Sequence, residues 1–247
     1  MSMGAYVTID DRYINAKGVV GVRYDQPMTP GKKYKVYTYK VGSPEYHYNI
    51  AGNMDWFPLQ HGNGVYSIRI YKQDVDTRYI CQESYSVTLN MEDPCGVFLA
   101  SNFYMEWDNS MAPIQHAFKL CEGITDDQGK TEAIWKFITS EFSYDFKLAK
   151  AIADAGGKYN YTPGIVDIFL KREGICFGLV ALFNAMLRSQ GVPAKMVHGY
   201  VMDVYHAWSE VWIEDWVLVD PTTGLNTVTP FSFSCIEPRL YQTKFIY

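Results

Sequence analysis

Two periodicities divide this chain. Up to about residue 105 the apolar positions recur every second residue. Tyr34, Val36 and Thr38 alternate with Lys35, Tyr37 and Tyr39, and the spacing returns in Tyr46, Tyr48 and Ile50, in Tyr66, Ile68 and Ile70, and in Tyr85, Val87 and Leu89. Successive side chains of an extended chain point to opposite faces, so this pattern in aromatic and β-branched residues predicts half-buried strands. Thr29-Pro30-Gly31, Gly42-Ser43-Pro44 and His61-Gly62-Asn63-Gly64 supply turn chemistry between the runs. Short strands separated in this way predict an antiparallel β-sandwich, with the alternating tyrosines filling its interior.

Beyond Trp107 the repeat lengthens to that of a helix. Asp126 or Asp127 is placed to cap a helix whose apolar face is Ala133, Ile134, Phe137 and Ile138. A second helix is expected to end at Gly156-Gly157. A third is expected to run from near Pro163 through Val166, Phe169 and Leu170 to a stop at Gly174. A fourth opens at Cys176, carries Leu179, Val180, Phe183, Met186 and Leu187 on one face, and ends at Gly191 with Pro193 just beyond. Strand-like runs follow at Ala194–Val201, Ala207–Ile213 and Trp216–Val219. The period changes between Glu106 and Pro113. The expected organisation is therefore a β-sandwich domain over 1–108 and a second, α+β domain over 109–247, with no internal repeat.

Composition narrows the classes of function. The chain has 247 residues, 48% hydrophobic and 16% aromatic, enough to bury a sizeable core and far from the composition of a disordered chain. Its formal net charge of -5 offers no basic footprint for nucleic acid. No run approaches the roughly 18 uninterrupted apolar residues of a membrane span. The opening Met1-Ser2-Met3-Gly4-Ala5-Tyr6 lacks a basic segment followed by an apolar one, so no signal peptide is expected there. The five cysteines are Cys81, Cys95, Cys121, Cys176 and Cys235, with no C-x-x-C pair, and this spacing implies no zinc or dithiol centre. An odd count fits one free catalytic thiol with two disulfides, and it fits five reduced thiols equally.

One thiol has a distinctive setting. In Arg172-Glu173-Gly174-Ile175-Cys176-Phe177, a glycine ends one helix and Cys176 begins the next. The first turn of a helix presents unpaired N–H groups and the positive end of the macrodipole, which favour a thiolate, the nucleophilic form of cysteine. The backbone N–H groups of Cys176 and Phe177 are also candidate donors to a developing oxyanion. The plain alternative is a small buried hydrophobe, the common role of an unpaired cysteine. The other four cysteines have no comparable context and are assigned that role.

His206 and Asp220 supply the partners. Tyr205-His206-Ala207-Trp208-Ser209-Glu210-Val211 and Trp216-Val217-Leu218-Val219-Asp220-Pro221-Thr222 flank Glu214 and Asp215, which predicts a hairpin. Its register decides whether the two side chains meet. A two-residue turn pairs Ile213 with Trp216 and sends Asp220 to the face opposite His206. A turn one residue longer pairs Trp212 with Trp216 and puts Asp220 across from Trp208. Asp220 is then a diagonal neighbour of His206, roughly 7–8 Å away between backbones and within side-chain reach. A functional pair therefore demands an odd turn or a bulge, with Trp208 walling the pair from water. A thiol, an imidazole and a carboxylate in this order are the parts of a nucleophile, its base and the group that orients the base. His198 is the competing base, with only Asp203 as a nearby carboxylate in sequence. His47, His61 and His116 are read as surface residues, Glu173 and Glu210 as solvated or supporting charges, and Asp126-Asp127 as a helix cap.

At these residues the chain resembles the transglutaminase-like superfamily, which spans transglutaminases, peptide N-glycanases and bacterial cysteine proteases. The resemblance runs from about Lys130 to Thr223. It is carried by Phe142-Ser143-Tyr144-Asp145, Gly174-Ile175-Cys176-Phe177, Ala185 to Ala194, His206-Ala207-Trp208-Ser209-Glu210-Val211 and Trp216 to Thr222. It implies a papain-like core in which a helix-start cysteine packs on an antiparallel sheet, with Cys176 as nucleophile, His206 as base, Asp220 as orienter, and Phe177 and Trp208 beside the pocket. The implied chemistry is thiol-dependent acyl transfer or hydrolysis at the amide of a peptide or protein substrate, with an amine as the other acceptor. The implied setting is a bacterial, exported or cell-surface protein. Neither cofactor nor metal is implied: the calcium dependence of animal transglutaminases does not carry over, since no dense acidic loop is present. Gly178 departs from the pattern, because bacterial members often carry an acidic or bulky polar residue two places after the nucleophile. Two other readings compete. An arylamine N-acetyltransferase uses a similar triad, but Arg172-Glu173-Gly174-Ile175-Cys176 lacks the paired glycines common there. A non-catalytic binding or surface module on the same scaffold would have no need of all three residue types.

Overall fold

The structure is a computed structural model and describes all residues except 1, 4, 5, 51, 157–160 and 226–236. The chain is a mixed α+β protein that divides into two compact units, Met1–Phe103 and Tyr104–Tyr247.

The first unit is built from β1 (Ser2–Met3), β2 (Val7–Asp10), a single helical turn α1 (Ile14–Lys17), β3 (Val19–Tyr24), β4 (Tyr34–Lys40), β5 (Tyr46–Ile50), β6 (Asp55–Pro58), β7 (Gly64–Gln73) and β8 (Tyr79–Leu89). These strands form two antiparallel four-stranded sheets, ordered β1-β2-β3-β6 and β5-β4-β7-β8. The period of two is realised as burial: Tyr34, Val36 and Thr38 are inside, as are Tyr46, Tyr48 and Ile50, and Tyr66, Ile68 and Ile70. Rings from the two sheets meet, Tyr24 with Tyr34 at 4.6 Å and Tyr48 with Phe57 at 4.7 Å between centroids. Aromatic contacts of this geometry add to the apolar area removed from water.

The second unit contains α2 (Ala112–Leu120), α3 (Asp127–Glu141), β9 (Ser143–Tyr144), α4 (Phe146–Asp154), α5 (Ile165–Lys171), β10 (Glu173–Gly174), α6 (Cys176–Ser189), β11 (Ala194–Val201), β12 (Val204–Ile213), β13 (Asp215–Val219) and β14 (Tyr241–Ile246). Asp126 caps α3, its Oδ1 accepting from the Gly129 N–H at 2.7 Å, and Asp145 caps α4 through the Leu148 N–H at 2.8 Å. The helix expected to run to Gly174 stops earlier. Arg172 adopts the left-handed conformation at φ 56°, and Glu173-Gly174 pairs in parallel with Ser143-Tyr144. Leu170, expected on the apolar face, is 68% exposed, and Ile165, Ile168 and Phe169 make the buried side.

An antiparallel sheet, ordered β13-β12-β11-β14, lies against α6. The helix is buried almost all round from Gly178 to Arg188, so only its first turn is open to chemistry. Ser209 Oγ of β12 donates to Asn184 Oδ1 of α6 at 2.6 Å, one buried hydrogen bond that fixes helix to strand. Arg188, at the far end of α6, donates to the carbonyls of Ala194 and Tyr247. Its burial lowers its pKa to about 9.

Candidate functional site: a thiol, an imidazole and a carboxylate

Cys176 is the first residue of α6, and no side chain caps the helix at Ile175. The opening amides are therefore left to whatever lies beside the thiol. Cys176 itself is partly exposed. Tyr144, on the short strand β9, interacts with the backbone N–H and the side chain of Cys176. Burial, together with the charge of Cys176, pushes the Tyr144 phenol up to about 12, so it keeps its proton at neutral pH.

The hairpin register answers the parity question. Trp212 pairs with Trp216, Val211 with Val217 and Ser209 with Val219, with Glu214 alone at the tip in the left-handed region at φ 60°. This is the register that puts His206 and Asp220 within reach of each other, closed by a tighter turn than the three-residue loop expected, since Ile213 and Asp215 also pair. The His206 Nε2 lies 2.8 Å from Asp220 Oδ2. Cys176 is the other group that acts on this imidazole, and with Nε2 taken by Asp220 only Nδ1 remains to exchange a proton with it. Burial opposes a charge on His206, but the hydrogen bonds to Asp220 and Cys176 and their negative charge outweigh it and raise the pKa to about 10.

Asp220 is 1% exposed and both of its oxygens are engaged. Oδ1 accepts from the Thr222 N–H at 2.9 Å, while Oδ2 accepts from Tyr241 Oη at 2.9 Å besides facing His206. Trp208 is 1% exposed; it stacks at 6.5 Å and 23° with His206 and meets Tyr241 edge-on at 5.0 Å. Phe177 points into a group of rings, 4.6 Å from His198, 5.3 Å from Tyr104 and 5.8 Å from Tyr161. Gly178 is closely covered: an added Cβ would stand 2.7 Å from Ile168 Cδ1 and 2.8 Å from Tyr161 Oη, and those side-chain tips would have to move aside. Tyr144 and Tyr241 touch the site without having been assigned to it from sequence. The Phe-Ser-Tyr-Asp run was the available signal for Tyr144, and no local signal marks Tyr241.

The competing histidine falls away on its surroundings. His198 is packed among Phe177, Tyr205 and Tyr247, and burial, with the charge of His206, lowers its pKa to about 3. It is a neutral core residue. Two of the histidines expected at the surface are half-buried: His61 hydrogen-bonds to Tyr46 Oη at 3.0 Å, and His116 packs against Phe137 at 4.3 Å. Glu210 pairs with Lys195 at 3.0 Å, a supporting charge. Cys81 and Cys121 are free thiols, so the alternative with two disulfides does not hold; Cys235 lies outside the described residues.

Residues 114–221, which run from α2 past Asp220, match the profile of the transglutaminase-like superfamily. This segment belongs to that superfamily. The transglutaminase-like segment thus carries all of Cys176, His206 and Asp220. Uncharacterized proteins of Mycobacterium bovis and Mycobacterium tuberculosis are 31% identical over a match that takes in 27% of this chain and 27% of each relative. A solved structure named "putative cysteine protease", from Cytophaga hutchinsonii, aligns with 90% of this chain and 68% of its own at 18% identity and a TM-score of 0.46. Red sea bream transglutaminase aligns with 86% and 50% at 11% identity and a TM-score of 0.32. No described helix of this chain is long and apolar enough to cross a membrane.

Proposed function

We propose that the chain is a thiol-dependent acyl-transfer enzyme acting on the amide bonds of a peptide-like substrate through Cys176, His206 and Asp220, with the second unit as its catalytic domain. The observation that carries the reading is His206, bonded to the buried Asp220 at 2.8 Å and acted on by the helix-start Cys176. Superfamily membership agrees with it.

In this mechanism the Cys176 sulfur attacks the amide carbonyl carbon, a C–S bond forms, and the carbonyl electron pair moves onto oxygen. The Cys176 N–H and the Tyr144 hydroxyl are at hand to receive that charge, and such donors act strongly where water is excluded. As the tetrahedral species collapses, the C–N bond breaks and the His206 imidazolium gives its proton to the leaving amine. Water then adds to the thioester carbonyl as His206 accepts its proton, and the C–S bond breaks to release a carboxylic acid and the Cys176 thiolate. A primary amine in place of water would give a new amide. Asp220 stabilises the imidazolium and fixes its tautomer throughout. Hydrolysis is the first choice, and the acceptor is tested directly. Peptide substrates are incubated with and without an added primary amine, and products are compared by mass for wild type and Cys176→Ala. Cleavage or amine incorporation by wild type alone supports the reading; identical product spectra for both proteins sink it.

The His206 environment makes a pH prediction. Its folded pKa, about 10, lies above the ordinary value near 6.5. The ion pair's contribution to stability is then fully present below about pH 6.5 and is lost as pH rises through about 10. The alkaline limb of kcat/KM should fall near pH 10, and the melting temperature should decline over the same interval. Activity that collapses just above pH 7 would show that His206 does not hold its proton in the working enzyme.

A further inference from the structure

We infer that Tyr241 is a positioning residue for the Asp220 carboxylate, joining β14 to the catalytic machinery; the inference rests on the acyl-transfer reading above. Tyr241 opens β14, the strand at the opposite edge of the sheet from β13, after which Asp220 sits. Its hydroxyl nevertheless reaches Asp220 Oδ2 at 2.9 Å, the same oxygen that faces His206 Nε2. The side chain arrives by lying along Trp208, its ring 5.0 Å from the indole and 77° from its plane.

Backbone detail on β11 and β14 aims it there. The pairing of β11 with β14 slips between His198 and Gly199: His198 faces Phe245, whereas Gly199 faces Thr243, leaving Lys244 as the extra residue of a bulge. Bulges bend a strand and re-aim the side chains beyond them. At the slip the strands approach so closely that a Cβ on Gly199 would stand 2.0 Å from the Gln242 carbonyl oxygen and 2.7 Å from the Trp208 ring. Only glycine permits that approach, next door to Tyr241.

The chemistry follows from counting lone pairs. A carboxylate holding one imidazolium can swing about its own bond and tilt the base away from the thiol. Here Thr222 N–H pins Oδ1, and Tyr241 pins Oδ2 from a different strand, so the plane of the carboxylate is fixed at both oxygens. Tyr241 is suited to donate permanently, because burial and the neighbouring Asp220 charge raise its pKa and keep the phenol protonated. Donation to Oδ2 also draws charge from the oxygen that stabilises the imidazolium. Loss of the hydroxyl should concentrate the carboxylate's charge on the imidazolium and leave the carboxylate less well held.

The test is Tyr241→Phe in the full chain, which keeps the ring on Trp208 and removes only the donor. Expected are a fall in kcat on the order of ten-fold, below the roughly 10²–10⁴-fold that a group transferring the proton itself contributes because Tyr241 acts only through Asp220, with KM little changed, and an alkaline limb displaced upward. The second readout needs no substrate: the pH profile of Cys176 alkylation by iodoacetamide, followed by peptide mass, should be displaced in the same direction. Combined with Asp220→Asn, the tyrosine change should have almost no further effect, because it acts through that carboxylate. If Tyr241→Phe does not fold, Tyr241→Met removes the hydroxyl with a flexible filler. An unchanged kcat and alkylation profile, or effects that simply add to those of Asp220→Asn, would overturn the assignment while leaving the acyl-transfer reading standing. A displaced alkylation profile in a protein that turns over no amide would keep Tyr241 in its role and remove the proposed activity.

Discussion

Cys176→Ala should form no acyl-enzyme and turn over no amide, while folding as the wild type does. In the proposed mechanism the sulfur is the atom that bonds to the acyl carbon, and alanine offers nothing in its place. The fold should tolerate the change: Cys176 is partly exposed in the first turn of α6, and alanine is the best helix former. The other described thiols are poorly set for the work. Cys121 is buried, and burial pushes its thiol up, away from the reactive form. Cys81 is on β8, in the other unit. The measurement is intact and peptide mass after reaction with a slow ester. One acyl adduct should map to Cys176 in wild type and be absent from the variant. An adduct on Cys81, Cys95, Cys121 or Cys235, or equal turnover by both proteins, would mean the nucleophile is elsewhere.

What could be read from the sequence, and what could not, follows the range of the interactions involved. The strands β4, β5, β7 and β8 were legible because their residues lie on a half-buried pleat, where alternation is enforced residue by residue, whereas β2 and β3 of the other sheet are buried at nearly every position and show no alternation to read. The setting of Cys176 was legible for a similar reason: a helix that starts at one residue and ends at Gly191 is local chemistry. So was the hairpin, where parity alone links His206 to Asp220. Helix α2 escaped notice although Pro113 stands in its first turn. It has nine residues, and Phe118 on it is 41% exposed, so its apolar stripe is thin. Leu170 was misplaced because α5 is seven residues long and is cut by the left-handed Arg172, leaving too little periodicity to fix a face. Tyr144 belongs to a two-residue strand defined by its parallel partner Glu173-Gly174, about thirty residues away in the chain. Tyr241 depends on β14 docking beside β11, a pairing across some forty residues that no local pattern announces. The proposed nucleophile, base and orienter announce themselves by local geometry; the residues that hold them in place are supplied by the tertiary fold.

Asp220→Asn should lower kcat on the order of 10⁴-fold, about 5.4 kcal/mol of transition-state stabilisation, as carboxylates in such triads do, and the hydrogen bonds explain why an isosteric change should be so severe. Both carboxylate oxygens are acceptors here. Oδ1 takes the Thr222 N–H, and Oδ2 takes Tyr241 Oη and faces His206 Nε2. An amide has one acceptor and one donor to offer. If its NH₂ faces Thr222, two donors oppose each other in a buried place, and the loop from Asp220 to Thr222 loses its anchor. If its NH₂ faces His206, Nε2 must become the acceptor, the ring proton moves to Nδ1, and the nitrogen beside Cys176 can no longer take the thiol proton. Either arrangement also removes the negative charge that helps hold the His206 pKa near 10. The alkaline limb should therefore move down toward the ordinary histidine value near 6.5. Some activity should remain, because Cys176 and the donors beside it are untouched. The check is a kcat/KM profile between pH 5 and 11, a range set by those pKa values, with the melting temperature confirming a folded variant. An asparagine protein within ten-fold of wild type, with its alkaline limb unmoved, would show that Asp220 does not orient His206.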